Sequence, residues 1–208
     1  PAVMGNSRTS PIDDVNMNRC FPGDPNGTVT HQIAYYIEEV LMPGSDLLMD
    51  LHSGGSSLMY IPSSLSRELD DPAMQARTIE LHRAFGAPIA YISNMPQGED
   101  RTVSAGAGRK NVLYLGTELG GGGTLSRQTI EVAEGGVRRA LGWIGLLPEA
   151  TKEKAPPIRL VSVGGLDYYT YAPDSGVFEP LAELGDEVKK GQPAALIHTP
   201  ETPWRAPT

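Results

Sequence analysis

The sequence predicts an α/β fold, a mixed and largely parallel sheet flanked by helices, followed by a small all-β domain at the C-terminal end. Three observations carry this reading. Apolar, strand-like runs alternate with segments of helical periodicity over residues 1–147. Two of those runs, Leu47–His52 and Val112–Glu118, end on a reactive side chain just before a Gly-rich turn. Strand ends of this kind are where α/β folds place their chemistry. After Pro148 the pattern changes to short strands separated by turns.

Residues 1–27 are rich in Pro, Gly, Asn and Asp and read as extended loop. Thr28 or Thr30 can cap a first helix, with Ile33, Ile37, Val40 and Leu41 on one face and Pro43-Gly44 as its stop. The run Leu47–His52 reads as a buried strand. Asp71-Pro72 starts a second helix that aligns Met74, Thr78, Leu81 and Phe85 before Gly86 ends it. Pro88–Ile92 is a strand, 94–111 a polar, Gly-containing and locally basic loop, and 112–118 the next strand. A long helix from about Ser126 to Leu147 puts Ile130, Ala133, Val137, Leu141 and Ile144 on one stripe.

The expected domains are 1–147, a Pro-rich linker at 148–157, and a β-rich accessory domain at 158–208. Its strands are Arg159–Val163, Tyr168–Tyr171, Gly176–Glu179 and Ala194–His198. The stretch Gly185–Gln192 resembles a hairpin of the biotinyl/lipoyl barrel-sandwich type. Lys189 and Lys190 are misplaced for a modified lysine, which favours an accessory domain over a carrier module.

A net charge of -8 and a pI near 5.0 argue against a nucleic-acid partner, which needs a basic surface. No apolar run approaches the roughly 20 residues of a membrane-spanning helix, so no membrane partner is expected. One cysteine excludes an intrachain disulfide and fits a cytoplasmic setting. Cys20 itself reads as a packing residue.

Among candidate functional residues, His52 and Glu118 stand at matching strand ends. They suggest a metal ligand and a general base converging on one cleft. Asp50 lies two residues before His52, on the same strand face. It can orient the imidazole or satisfy nearby backbone donors. Gly120 to Gly123 permit close backbone approach to a substrate, and without a following Lys-Ser/Thr they are not a phosphate-binding loop.

Asn18-Arg19-Cys20-Phe21-Pro22-Gly23, then Asp50-Leu51-His52-Ser53-Gly54-Gly55, then Thr117-Glu118-Leu119-Gly120, occur in that order. In these motifs the chain resembles the succinylglutamate desuccinylase/aspartoacylase family, relatives of the zinc carboxypeptidases, over residues 1 to about 150. The nearest look is to bacterial deacetylases of N-acetylated diamino acids. The resemblance implies a zinc-dependent hydrolase that cleaves the amide bond of an N-acyl amino acid. It implies His52 as a zinc ligand and Glu118 as the base that takes a proton from water and returns it to the leaving amine. Asn18 and Arg19 match the clamp on the substrate carboxylate, with Arg8 a further candidate for the carbonyl oxygen. The family's His-x-x-Glu pair, which lies upstream of the Asn-Arg motif and supplies two more zinc ligands, has no counterpart between Pro1 and Asn18. The expectation is therefore an internal fragment, with two ligands upstream of Pro1, that can be inactive alone. Homo-oligomerisation is left open.

Overall fold

In the computed structural model, residues 7–93, 100–148 and 154–208 are described. The first unit runs from Pro1 to Val163. Its helices are α1 (Val29–Tyr35), α2 (Pro72–Phe85), α3 (Val103–Arg109) and α4 (Arg127–Trp143). Its strands are β1 (Leu47–His52), β2 (Ser63–Arg67), β3 (Ile89–Ser93), β4 (Leu113–Glu118) and β5 (Arg159–Val163), in the sheet order β1-β4-β2-β3-β5. Only β2 against β4 is antiparallel; the other pairings are parallel. The predicted mixed, largely parallel sheet is the one observed.

Two apolar clusters cover the two sheet faces. On one, Leu81 and Phe85 of α2 and Ala140 of α4 pack with Leu113 and Leu115 of β4, and with Leu47 and Met49 of β1. On the other, Ala34 of α1, Met42 and Ala107 of α3 pack with Cys20, Phe21 and Val112, against Leu48 and Tyr114. Because side chains alternate along a strand, this second face also receives Asp50, His52, Gly116 and Glu118. Cys20 is buried here, its thiol donating to the Met17 carbonyl oxygen at 3.0 Å, which fits its expected packing role.

The helix ends follow local chemistry. The Asp71 side chain accepts from the Ala73 N–H at 2.9 Å, Pro72 opens α2, and Gly86 closes it at φ 73°. The Arg139 guanidinium of α4 donates to the Phe85 carbonyl oxygen at 2.6 Å, placing a cation at the C-terminus of α2. Thr28 precedes α1 but makes no side-chain cap. Asp13 does that work from the preceding loop, accepting from the Thr30 N–H at 2.9 Å and its hydroxyl at 2.7 Å.

Several expectations change. β1 is half-buried rather than buried, because among the described residues it pairs on one side only. The helix begun at α1 continues as a π-helical turn, Tyr36–Leu41, which buries Glu38. The loop expected at 94–111 contains α3; residues 94–99 lie outside the described residues. β2 was not anticipated. α4 ends at Trp143 rather than Leu147. Its buried positions are Gly136, Ala140 and Gly142; of the expected stripe, Val137 packs partly buried against the core and Ile130 stays exposed. A Cβ on Gly136 would lie 2.5 Å from the Phe85 ring, so the missing side chain sets how closely α4 approaches α2.

Arg159–Val163 belongs to the main sheet, paired in parallel with β3, and not to the C-terminal region. The unit boundary therefore falls after Val163 rather than in the 148–157 linker, whose residues 149–153 lie outside the described residues. The second unit, Gly164–Thr208, holds a two-stranded antiparallel sheet, β6 (Val177–Pro180) and β7 (Ala195–His198). The strand expected at Tyr168–Tyr171 is absent; a 3-10 turn, Leu166–Tyr168, stands there. Among the described residues no helix is long and apolar enough to cross a membrane.

Candidate active site

β1 and β4 run parallel in a register that pairs Leu48 with Tyr114, Asp50 with Gly116, and His52 with Glu118. His52 and Glu118 thus stand side by side at the C-terminal ends of neighbouring strands, on one face. Cross-strand contacts fix their height. The Thr117 hydroxyl accepts from the His52 N–H at 3.0 Å and donates to its carbonyl oxygen at 3.2 Å, and the Leu119 N–H donates to that same oxygen at 2.9 Å.

Beyond the strands the two glycine turns lock onto each other. The Gly54 N–H donates to the Gly120 carbonyl oxygen at 3.0 Å, and the Gly122 N–H to that of Leu58 at 2.9 Å. Gly121 has φ 155°, and a Cβ there would come within 1.9 Å of the Leu58 carbonyl oxygen. Gly121 and Gly123 face the 54–58 turn, whereas Gly120 faces Thr129 of α4 and Gly122 the Met59 side chain.

The His52 Nε2 lies 2.8 Å from Asp50 Oδ2. This hydrogen bond is the main cause of a raised imidazole pKa, opposed by partial burial and by the charge of Arg8. Asp50 therefore takes the orienting role. With Nε2 engaged, Nδ1 is the nitrogen left for a ligand, the arrangement in which metal-binding histidines are held by an outer carboxylate. The Tyr114 hydroxyl donates to the same Asp50 oxygen at 3.2 Å. Tyr114 escaped the sequence reading; its four-residue spacing from Glu118 puts it on the same strand face, the only available signal.

Glu118 is half-buried, and its Oε2 is shielded from solvent without a hydrogen-bond partner among the described residues. Burial raises its pKa first, opposed by His52 and Arg8 and reinforced by Asp50. A carboxylate with an unused oxygen and heightened basicity is suited to accept a proton. Arg8 is exposed, and its charge is the weakest of those that act on His52 and Glu118.

Asn18 and Arg19 sit in a 3-10 turn, Met17–Arg19. Asn18 Oδ1 accepts from the Val103 N–H at 2.8 Å, which ties this turn to the start of α3 and engages the amide through its oxygen. Arg19 Nη1 donates to the Asn18 carbonyl oxygen at 2.6 Å.

Zinc with an open catalytic position takes three protein ligands. Among the described residues no group of three His, Cys, Asp or Glu side chains is placed to hold a metal ion. His52 suits one position in its chemistry, and these residues alone do not complete the set.

The catalytic-domain profile of the succinylglutamate desuccinylase/aspartoacylase family matches residues 1–144. The chain is 37% identical over 198 residues to the N-alpha-acetyl-L-2,4-diaminobutyric acid deacetylase of Halomonas elongata, covering 95% of this chain and 58% of that protein. The structure is similar to a succinylglutamate desuccinylase/aspartoacylase from Rhodobacter sphaeroides, with TM-score 0.89 and 36% identity over 100% of this chain and 62% of that one. It is also similar to the product-bound ectoine utilization protein EutE (DoeB) from Ruegeria pomeroyi, with TM-score 0.92 and 33% identity over 100% of this chain and 63% of that one. The chain therefore spans about three-fifths of the length of these relatives. A profile match over most of the chain and a shared fold agree on one conclusion: the chain belongs to the succinylglutamate desuccinylase/aspartoacylase family.

Proposed function

We propose that the full-length protein hydrolyses the amide bond of an N-acyl amino acid, and that its substrate is an N-acetylated diamino acid. The observation that carries this is the pairing of His52 with Glu118 at two parallel strand ends, with a Glu118 carboxylate oxygen buried and without a partner among the described residues. The similarity to a diaminobutyrate deacetylase supports the substrate class.

Glu118 takes a proton from water, whose oxygen adds to the acyl carbonyl carbon. The same carboxyl group then protonates the nitrogen as the C–N bond breaks, releasing a carboxylate and an amine. A pKa raised by burial suits both halves of this cycle. Arg8 brings positive charge to where the carbonyl oxygen becomes an oxyanion. Arg19 and the Asn18 Nδ2 hold the substrate carboxylate, the guanidinium offering two parallel donors. The proposal includes a zinc ion with His52 Nδ1 as one ligand. When bound, zinc acts as a Lewis acid toward the carbonyl and toward water.

The test is hydrolysis of Nα-acetyl-L-2,4-diaminobutyric acid by full-length protein and its Glu118→Gln variant. The expected loss in kcat is on the order of 10²–10⁴-fold. Wild-type turnover in that variant would remove Glu118 from the reaction.

A further inference from the structure

We propose that Tyr114 is a positioning residue for His52, acting through Asp50. This rests on the reading of His52 as part of the reaction centre. Asp50 Oδ2 receives two donors, Nε2 of His52 at 2.8 Å and the Tyr114 hydroxyl at 3.2 Å. The chain Tyr114–Asp50–His52 runs along one sheet face and crosses from β4 to β1. Tyr114 is paired with Leu48, so its ring reaches one step up the sheet to meet Asp50. The residue it passes is Gly116, the partner of Asp50. A Cβ at Gly116 would stand 2.7 Å from the Tyr114 hydroxyl oxygen and 3.0 Å from Leu65 Cδ1. The absence of a side chain at Gly116 is what lets the phenol reach the carboxylate.

The physical consequence is directional. A carboxylate held only by His52 can rotate about its side-chain torsion and carry the imidazole with it. A second donor on the same oxygen fixes that torsion. It thereby keeps the proton on Nε2 and leaves Nδ1 unprotonated toward the site. Tyr114 can serve this purpose because burial, with the Asp50 charge adding to it, pushes its pKa far above the usual range. The phenol stays a donor at every working pH. The ring is itself anchored, since Tyr114 packs against the cluster formed by Ala34, Met42 and Ala107. Outer hydrogen bonds of this kind typically govern ten- to hundredfold of activity or metal affinity.

The first measurement is the tautomer of His52 by ¹⁵N NMR, in metal-stripped full-length protein at a pH where the ring is neutral. The wild type is expected to hold the Nε2–H form, and Tyr114→Phe to gain a clear share of the Nδ1–H form. The second is hydrolysis of Nα-acetyl-L-2,4-diaminobutyric acid. Tyr114→Phe should lower kcat roughly tenfold or more while leaving KM within about twofold, the signature of a group that does not bind substrate. Gly116→Ala, which displaces the hydroxyl without removing it, should reproduce both effects. The double variant should be no worse than either single one, because both break the same contact. An unchanged tautomer, an unchanged kcat, or additive losses in the double variant overturn the proposal. If instead His52→Ala keeps wild-type turnover, the assignment of the reaction centre fails, while the tautomer shift still reports on the Tyr114–Asp50–His52 chain.

Discussion

Glu118 and His52 are register partners across one pair of parallel strands, and Asp50 holds the imidazole of that pair from two residues back on β1. The carboxylate proposed to do the proton chemistry and the carboxylate that bonds the histidine are thus different residues with opposite exposures to partners. Asp50 Oδ2 has two donors, whereas Glu118 Oε2 has none among the described residues. Asp50→Asn keeps the shape and removes the charge that draws the Nε2 proton. It should lower deacylase kcat or zinc retention by roughly 10–100-fold with the fold intact. Kinetics and metal content of the full-length variant check this. A variant equal to wild type in both would show that His52 needs no orienting carboxylate.

The glycine turns beyond the strands make a second expectation quantitative. Gly121 combines φ 155° with a Cβ position only 1.9 Å from the Leu58 carbonyl oxygen, so Ala must push the turns apart. Gly55 has φ 63° but open space around its Cβ position. Gly55→Ala should cost about 1–2 kcal/mol, the left-handed backbone penalty alone. Gly121→Ala should cost more and should also depress activity, because the displaced turns follow His52 and Glu118 directly. Urea midpoints of the two variants, read beside kcat, separate the two cases.

Glu38 is buried at 1% exposure and is held by Arg109, Nε to Oε1 at 2.7 Å and Nη2 to Oε2 at 2.8 Å. This pair joins the π-helical turn after α1 to the end of α3. Arg109→Ala strands a carboxylate in the interior and should destabilise by roughly 3–5 kcal/mol. Glu38→Gln, which leaves no buried charge, should cost less. Equal losses in the two variants would mean the geometry matters and the charge does not.

The parts of this fold readable from sequence are those where burial is apolar and periodic. α2 was legible from Met74, Thr78, Leu81 and Phe85 and from its Asp71-Pro72 and Gly86 ends. β2 was not, because two of its inward side chains are Ser64 and Ser66, buried to bond His82 rather than to form a core. α3 was hidden by Gly106 and Gly108. Gly106 is there because a Cβ would meet Glu38 Oε2 at 2.5 Å. β5 was misplaced because a Pro-rich stretch reads as a domain boundary, whereas its pairing with β3 is long-range information. At the site, the shared face of Asp50 and His52 follows from period-two alternation. The contact between Tyr114 and Asp50 depends on the register between strands 64 residues apart, which no local pattern encodes.

His82 supplies a stability test far from the reaction. It is fully buried on α2, its Nδ1 2.7 Å from the Ser64 hydroxyl and its Nε2 2.9 Å from that of Ser66. Burial lowers its pKa from 6.5 to about 4. In the unfolded chain the ring titrates near 6.5; in the native protein it stays neutral down to about 4. Between those values the unfolded state binds more protons, so native stability falls as pH falls. The penalty is absent above 6.5, grows through the window, and is complete below about 4. The gap corresponds to roughly 3 kcal/mol. His82→Gln keeps a group able to bond both serines and does not titrate. Urea unfolding of wild type and variant from pH 7 to 4 should therefore converge toward the acid end, as the wild type loses stability that the variant keeps. A difference between them that is constant with pH would show that His82 becomes protonated in place, with its serine partners accommodating the charge.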